Sequence, residues 1–172
     1  MGDEYEKSYR QVIINPRTRI RQFQDSQPPP SGWEDVMAVF LKLDNEYIVE
    51  DSRIPDDFIP REQYVRIQKA NYRRTRALYY RRFIKKSISK ELYNWIIEQN
   101  LVDKRLLQKW NEPGFENLCC LDCVGCVCHL PLEKDAKVDK KCAHCFCHGC
   151  ASTYTDGTPV PRTQMPYPDD DK

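Results

Sequence analysis

The chain has 172 residues, 31% of them charged and 40% apolar, with a formal net charge of +1. That length suits one ordinary domain or two small ones, and so even a charge balance singles out neither an acidic nor a basic partner. No apolar run approaches the roughly eighteen residues of a membrane span, and Met1-Gly2-Asp3-Glu4 lacks the charged-then-apolar opening of a signal peptide, so a reducing compartment and no membrane partner are expected.

Residues 1–32 read as an arm with little core of its own. Arg17-Thr18-Arg19-Ile20-Arg21 is followed by Pro28-Pro29-Pro30-Ser31-Gly32, a stiff polyproline-like break. Residues 33–60 are acidic, with eight Asp or Glu against Lys42 and Arg53. Val36, Val39, Phe40 and Leu43 fall at helical spacing and predict a short amphipathic helix over 34–48. Pro55 and Pro60 bound a connector.

Residues 61–114 read as a basic helical region. Val65, Tyr72, Tyr79 and Phe83 make one apolar stripe, with Leu78 and Ile84 beside it. Ser89 is a good N-cap for the next helix, with Glu91 in its first turn and Leu92, Trp95 and Ile96 as its apolar face. Asn100 suits the end of that helix. Asp103 can cap a short third helix carrying Leu106, Leu107 and Trp110, and Pro113-Gly114 closes the region. Residues 151–172 are a polar tail with four prolines, expected to be disordered unless a partner orders it.

Between these lies a cysteine module, residues 115–150, holding all nine cysteines of the chain. Cys119, Cys120, Cys123, Cys126 and Cys128 are followed, after thirteen residues, by Cys142, Cys145, Cys147 and Cys150. Thiolates at two-residue gaps are zinc ligands by geometry, because a short turn lets both sulfurs reach one small tetrahedral ion. An odd number of cysteines, two of them adjacent, argues against disulfides. Two separate zinc sites, with His129, His144 or His148 able to replace a thiolate, are one arrangement. A cluster of three zincs is the other, and its stoichiometry leaves no remainder. Three tetrahedral ions require twelve metal–sulfur bonds, which nine cysteines provide when six bind terminally and three bridge. Single-residue gaps at Cys126-Val127-Cys128 and Cys145-Phe146-Cys147 suit ligands that face neighbouring ions. Lys134, Lys137, Lys140 and Lys141 stand ready to offset the negative charge of such a cluster. The module has too few large apolar side chains for a core, so metal replaces that core. Filled coordination leaves no open position for zinc catalysis.

Ten Lys or Arg and no acid lie between Arg66 and Lys90. A helix that needs only solvation usually mixes signs. Arg73, Arg74, Arg76, Arg81, Arg82, Lys85 and Lys86, interleaved with tyrosines, are therefore candidates for contact with an RNA phosphate backbone. Docking on an acidic protein surface is the alternative.

The residues assembled above resemble the bud-site-selection (G-ten) family of nuclear pre-mRNA splicing factors. The likeness rests on Ile88-Ser89-Lys90-Glu91-Leu92-Tyr93, Asp103-Lys104, Lys109-Trp110 and Glu116-Asn117-Leu118-Cys119-Cys120-Leu121 with Cys123. It extends to the closing Cys142, His144, Cys145, Cys147, Gly149 and Cys150, and to an opening Pro28-Pro29 with Gly32-Trp33-Glu34. It covers roughly residues 28–152 and runs without a gap from Thr75 to Cys123. The chain departs from the family in the short Val124-Gly125 link between Cys123 and Cys126, in a mixed-charge arm, at Tyr80-Arg81, and in its tail. The resemblance implies a nuclear, non-enzymatic zinc protein in the core of the spliceosome, whose nine cysteines bind several zincs. It implies small nuclear RNA or intron RNA, the central scaffold protein and Prp-nineteen-related proteins as partners, and no small-molecule substrate. The expected fold is a small α-helical N-terminal part followed by an irregular, zinc-stabilised cysteine-rich C-terminal module. A zinc-dependent protein–protein adaptor without RNA contact is the rival function.

Overall fold

The computed structural model describes residues 28–52, 60–134, 142, 147 and 149–160. It divides into two compact units, one reaching Asp103 and the other beginning at Lys104. Among the described residues no helix is long and apolar enough to cross a membrane.

Among the described residues of the first unit three α-helices are found: α1 (Trp33–Ser52), α2 (Pro60–Tyr79) and α3 (Lys90–Glu98). Pro60 opens α2, where its missing N–H costs no helical bond. Gly32 turns the chain into α1 at φ +90°, a conformation that only glycine adopts without strain. Trp33, Val36 and Phe40 then repeat at three and four residues and are buried, while Val39 and Leu43 are half-buried. The Trp33 ring meets Phe40 at 6.2 Å and Trp95 of α3 at 5.1 Å, both edge to face. Val65, Ile67, Tyr72, Leu78 and Tyr79 of α2 are also buried, Ile67 in a cluster with Tyr47 and Ala70.

The α3 helix forms as its sequence predicts. The Ser89 hydroxyl accepts the Leu92 N–H at 3.1 Å, and Leu92, Trp95 and Ile96 face inward. Asn100 takes the left-handed conformation at φ 55°, and the Leu101 N–H reaches back to the Ile96 carbonyl. This is a Schellman closure with asparagine in the usual glycine place. Asp103 accepts from the Asn71 amide at 3.0 Å, and its backbone N–H donates to Thr75 Oγ1 at 3.1 Å.

Phe83 and Ile84 correct the expected stripe. After Tyr79 the helix widens into a π-helical turn, Tyr80–Ile84, with none of its residues buried. An i to i+5 turn holds one residue more than an α turn, so the stripe loses register and Phe83 leaves the core.

The second unit contains α4 (Lys104–Lys109) and two short 3₁₀ turns, Leu121–Cys123 and Val127–His129. Leu106, Leu107, Trp110, Leu118, Ala151 and Val160 are buried, and Trp110 Nε1 donates to the Leu118 carbonyl at 2.9 Å. Apolar residues flanking the cysteine module on both sides thus supply a small core that its own sequence lacks. The expected disorder of the tail is corrected for residues 151–160. Tyr154 bridges Leu132, Thr153 bridges Pro159, and the Val160 N–H donates to the Ser152 carbonyl at 2.9 Å. Backbone pairing and the burial of Val160 hold a segment that composition marks as free. Residues 161–172 lie outside the described residues.

Candidate metal centre and basic face

Each turn of the cysteine module is shaped for convergence of sulfurs. Val124 (φ −60°, ψ 120°) and Gly125 (φ +84°) form a type II turn closed by the Cys126 N–H on the Cys123 carbonyl at 2.9 Å. The following 3₁₀ turn carries Cys128 back toward the same point. The two halves are joined by the Cys150 N–H donating to the Cys128 carbonyl at 3.0 Å, and the Cys142 N–H donates to the Cys147 carbonyl at 2.8 Å. Asn117, buried beside the first thiols, donates to the Ala151 carbonyl at 3.4 Å.

Three groups of thiols result, each within a 4.8 Å sphere of mutual distances. Cys119, Cys128, Cys147 and Cys150 form one, and Cys123, Cys126, Cys128 and Cys142 a second. Cys119, Cys120 and Cys123 form the third. Neighbouring sulfurs are 3.5 Å apart at Cys126–Cys142 and Cys128–Cys150, and 3.9 Å apart at Cys119–Cys120 and Cys123–Cys142. A tetrahedral zinc with Zn–S bonds of about 2.3 Å sets its sulfurs about 3.8 Å apart. A disulfide would need about 2.05 Å, and the eight described cysteines are free. The donor set therefore fits soft, tetrahedral metal ions. Cys119, Cys123 and Cys128 each belong to two groups.

The electrostatics favour thiolates. Hydrogen bonding from Cys119 and other neighbouring thiols lowers the Cys128 thiol far below its ordinary range, and hydrogen bonds from Cys119, Cys147 and His129 bring Cys150 down to about 6 against the opposing effect of Cys128. His129 stays outside all three groups. Its Nδ1 is 3.8 Å from the Cys150 sulfur, and that contact raises the imidazole. Its ring also meets Phe115 edge to face at 5.8 Å. Lys134 is taken up by Asp156 at 2.6 Å. Cys145, His144, His148, Lys137, Lys140 and Lys141 lie outside the described residues.

The basic candidates separate into three environments. Arg74 and Arg76 are each 2% exposed, which corrects their expected place on a displayed face. Arg74 forms an internal ion pair with Asp44 and lies 5.2 Å from the Phe40 ring centre, and Arg76 covers Tyr79 at 4.7 Å. Burial pushes the Asp44 carboxyl up to about 6, against the pull of Arg74. Arg73 instead lines a groove with Arg66, Lys69, Ala70, Leu43 and Tyr47. Arg66 and Lys69 were missed by a reading that followed the densest basic runs. Arg66, Lys69 and Arg73 follow one another at steps of three and four residues, which marks one helical face and was visible in the sequence. Arg81 and Arg82 are half-buried and donate to the Ala77 and Ile88 carbonyls, while Lys85 and Lys86 are exposed.

Comparison with known proteins agrees over most of the length. The family model described as Pre-mRNA-splicing factor BUD31 matches residues 16–152. Pre-mRNA-splicing factor cwf14 of Schizosaccharomyces pombe is 32% identical over 149 residues, covering 80% of this chain and 98% of its own. Pre-mRNA-splicing factor BUD31 of Saccharomyces cerevisiae is 32% identical over 160 residues, covering 80% and 99%. Protein BUD31 homolog 1 of Oryza sativa subsp. japonica is 33% identical over 132 residues, covering 72% and 91%.

Proposed function

The chain belongs to the BUD31 family of pre-mRNA-splicing factors, and from that premise we propose that it acts in the nucleus as a non-enzymatic, zinc-stabilised scaffold of the spliceosome. Its partners are small nuclear or intron RNA, the central scaffold protein and Prp-nineteen-related proteins. The sharing of Cys119, Cys123 and Cys128 between thiol groups carries the metal part of this reading. Two separate sites would draw on disjoint sets of four ligands. Three overlapping groups suit three zinc ions, with those three thiolates bridging and Cys120, Cys126, Cys142, Cys147 and Cys150 binding terminally. The third group has three described thiols, and Cys145 is the one cysteine left to complete it. With each position filled, no site remains for water or substrate, so the metal shapes the chain and catalyses nothing.

RNA contact is supported by the groove lined by Arg66, Lys69 and Arg73 and by exposed Lys85 and Lys86. Such cations position a protein on phosphates without reading sequence. Ultraviolet crosslinking of the tagged chain in nuclear extract tests this. Crosslinks to small nuclear or intron RNA at peptides spanning residues 66–86 are expected. Crosslinks to protein alone would move the chain to the adaptor class.

A further inference from the structure

The end of α2 departs from helical regularity in a way that exposes an aromatic ring. The Lys85 N–H donates to the Tyr80 carbonyl and the Ser87 N–H to the Arg81 carbonyl, each at 2.8 Å. Lys86, which is not glycine, takes the left-handed conformation at φ 53°. Widened turns and left-handed non-glycine residues both concentrate at functional sites.

Phe83 is 41% exposed and Ile84 36% exposed as a result. The covered part of the Phe83 ring is held by Tyr79 at 4.9 Å and Tyr93 at 5.5 Å, which fix its plane. The Arg82 guanidinium lies 6.0 Å from the ring centre, anchored by its hydrogen bond to the Ile88 carbonyl. Lys85, 5.9 Å from the Tyr80 ring centre, and Lys86 follow directly and are exposed. No carboxylate occurs in the sequence from Arg66 to Lys90.

We propose that the π-helical turn presents Phe83 as a stacking platform for an unpaired RNA base, with Lys85 and Lys86 on the adjoining phosphates. A fixed aromatic face beside cations is the arrangement by which single strands are held without sequence preference. Two exposed apolar side chains are too small a patch for the core of a protein interface. This site rests on the RNA-contact reading above and adds to it a residue, Phe83, that the apolar stripe had assigned to the core.

Titration of the zinc-loaded full chain with an oligouridine strand, and with an abasic strand of equal length, tests the proposal. Phe83→Leu keeps an apolar side chain at a surface position and is expected to leave the circular-dichroism spectrum unchanged. It is expected to weaken oligouridine binding by about fivefold or more, with abasic binding and the salt slope unchanged. Lys85→Glu with Lys86→Glu is expected to weaken both strands and lower the salt slope by roughly 1.4, at about 0.7 per phosphate. Wild-type affinity for oligouridine in Phe83→Leu, with weakening in the lysine variant, overturns the stacking and leaves the RNA contact standing. Failure of the unmodified chain to bind either strand overturns both. If Phe83→Leu keeps its RNA affinity but fails to join spliceosomal particles, the ring is a protein contact and the proposal falls.

Discussion

Arg74 shows how little a residue's place in a charge run says about its role. Its guanidinium is inside the first unit, held by Asp44 thirty positions away and by the Leu101 carbonyl at 3.4 Å. A buried ion pair broken on one side leaves an uncompensated charge. Arg74→Met is therefore expected to lower stability by about 3–5 kcal/mol, read from urea unfolding, while the salt slope of RNA binding stays as it was. Asp44 gives the same pair a pH signature. Its carboxyl is raised from 3.8 to about 6 because burial outweighs the attraction of Arg74. The folded chain thus holds this proton more tightly than the unfolded chain. The contribution of Asp44 to stability is present in full below the unfolded value, and is lost as pH rises through about 6. Carbon-detected titration of the Asp44 side chain is expected to show a midpoint near 6; a midpoint near 4 would mean that Arg74 prevails over burial.

Among the elements, those governed by neighbours in sequence were legible and those governed by distant contacts were not. The α3 helix was readable because each of its determinants is local. Ser89 caps a residue three positions on, and Leu92, Trp95 and Ile96 share a face by helical period alone. Replacing Ser89 by Ala removes that acceptor and is expected to cost about 1 kcal/mol in thermal or urea unfolding. The end of α2 was not readable. The period that places Val65, Tyr72 and Tyr79 inside also places Phe83 inside, and only the change to i to i+5 bonding reverses it. Nothing in Tyr80-Arg81-Arg82-Phe83-Ile84 announces a π turn, and the turn places Phe83 against Tyr79 and against Tyr93 of a separate helix, a contact that local period does not record. Residues 151–160 repeat the lesson. Their composition is that of a loop, and their order comes from pairing with Leu132 and from the burial of Ala151, Ser152 and Val160.

For the whole molecule, the division at Asp103 separates two ways of being folded. The described part of the first unit has aromatic and aliphatic packing among α1, α2 and α3, with a partly buried polar network through Asn71, Thr75 and Asp103. The second has a small flanking core and a large set of convergent thiols, which the proposed zinc ions would hold together. Structural zinc in small sites contributes on the order of 10–16 kcal/mol. Chelation is therefore expected to open residues 104–160 to protease while α1 to α3 keep their circular-dichroism signal. Native mass spectrometry of the loaded chain is expected to give a shift of three zincs. A shift of two would return the centre to separate sites, and native protease resistance in the metal-free chain would show that the flanking core suffices.

The sequence alone marked the C-terminal part as a cysteine module with metal-ligand spacing, because cysteine count and spacing are one-dimensional facts. It also determined the family, through motifs spread along most of the chain. Only the tertiary structure decided which thiols stand in more than one group, because Cys119 groups with Cys147 and Cys150, which lie far on in the chain. It alone divided the basic run into buried Arg74 and Arg76, the groove of Arg66, Lys69 and Arg73, and the exposed turn around Phe83. The physical reason is common to both: ligand sharing and burial are fixed by contacts between residues far apart in the chain, and local period carries no record of them.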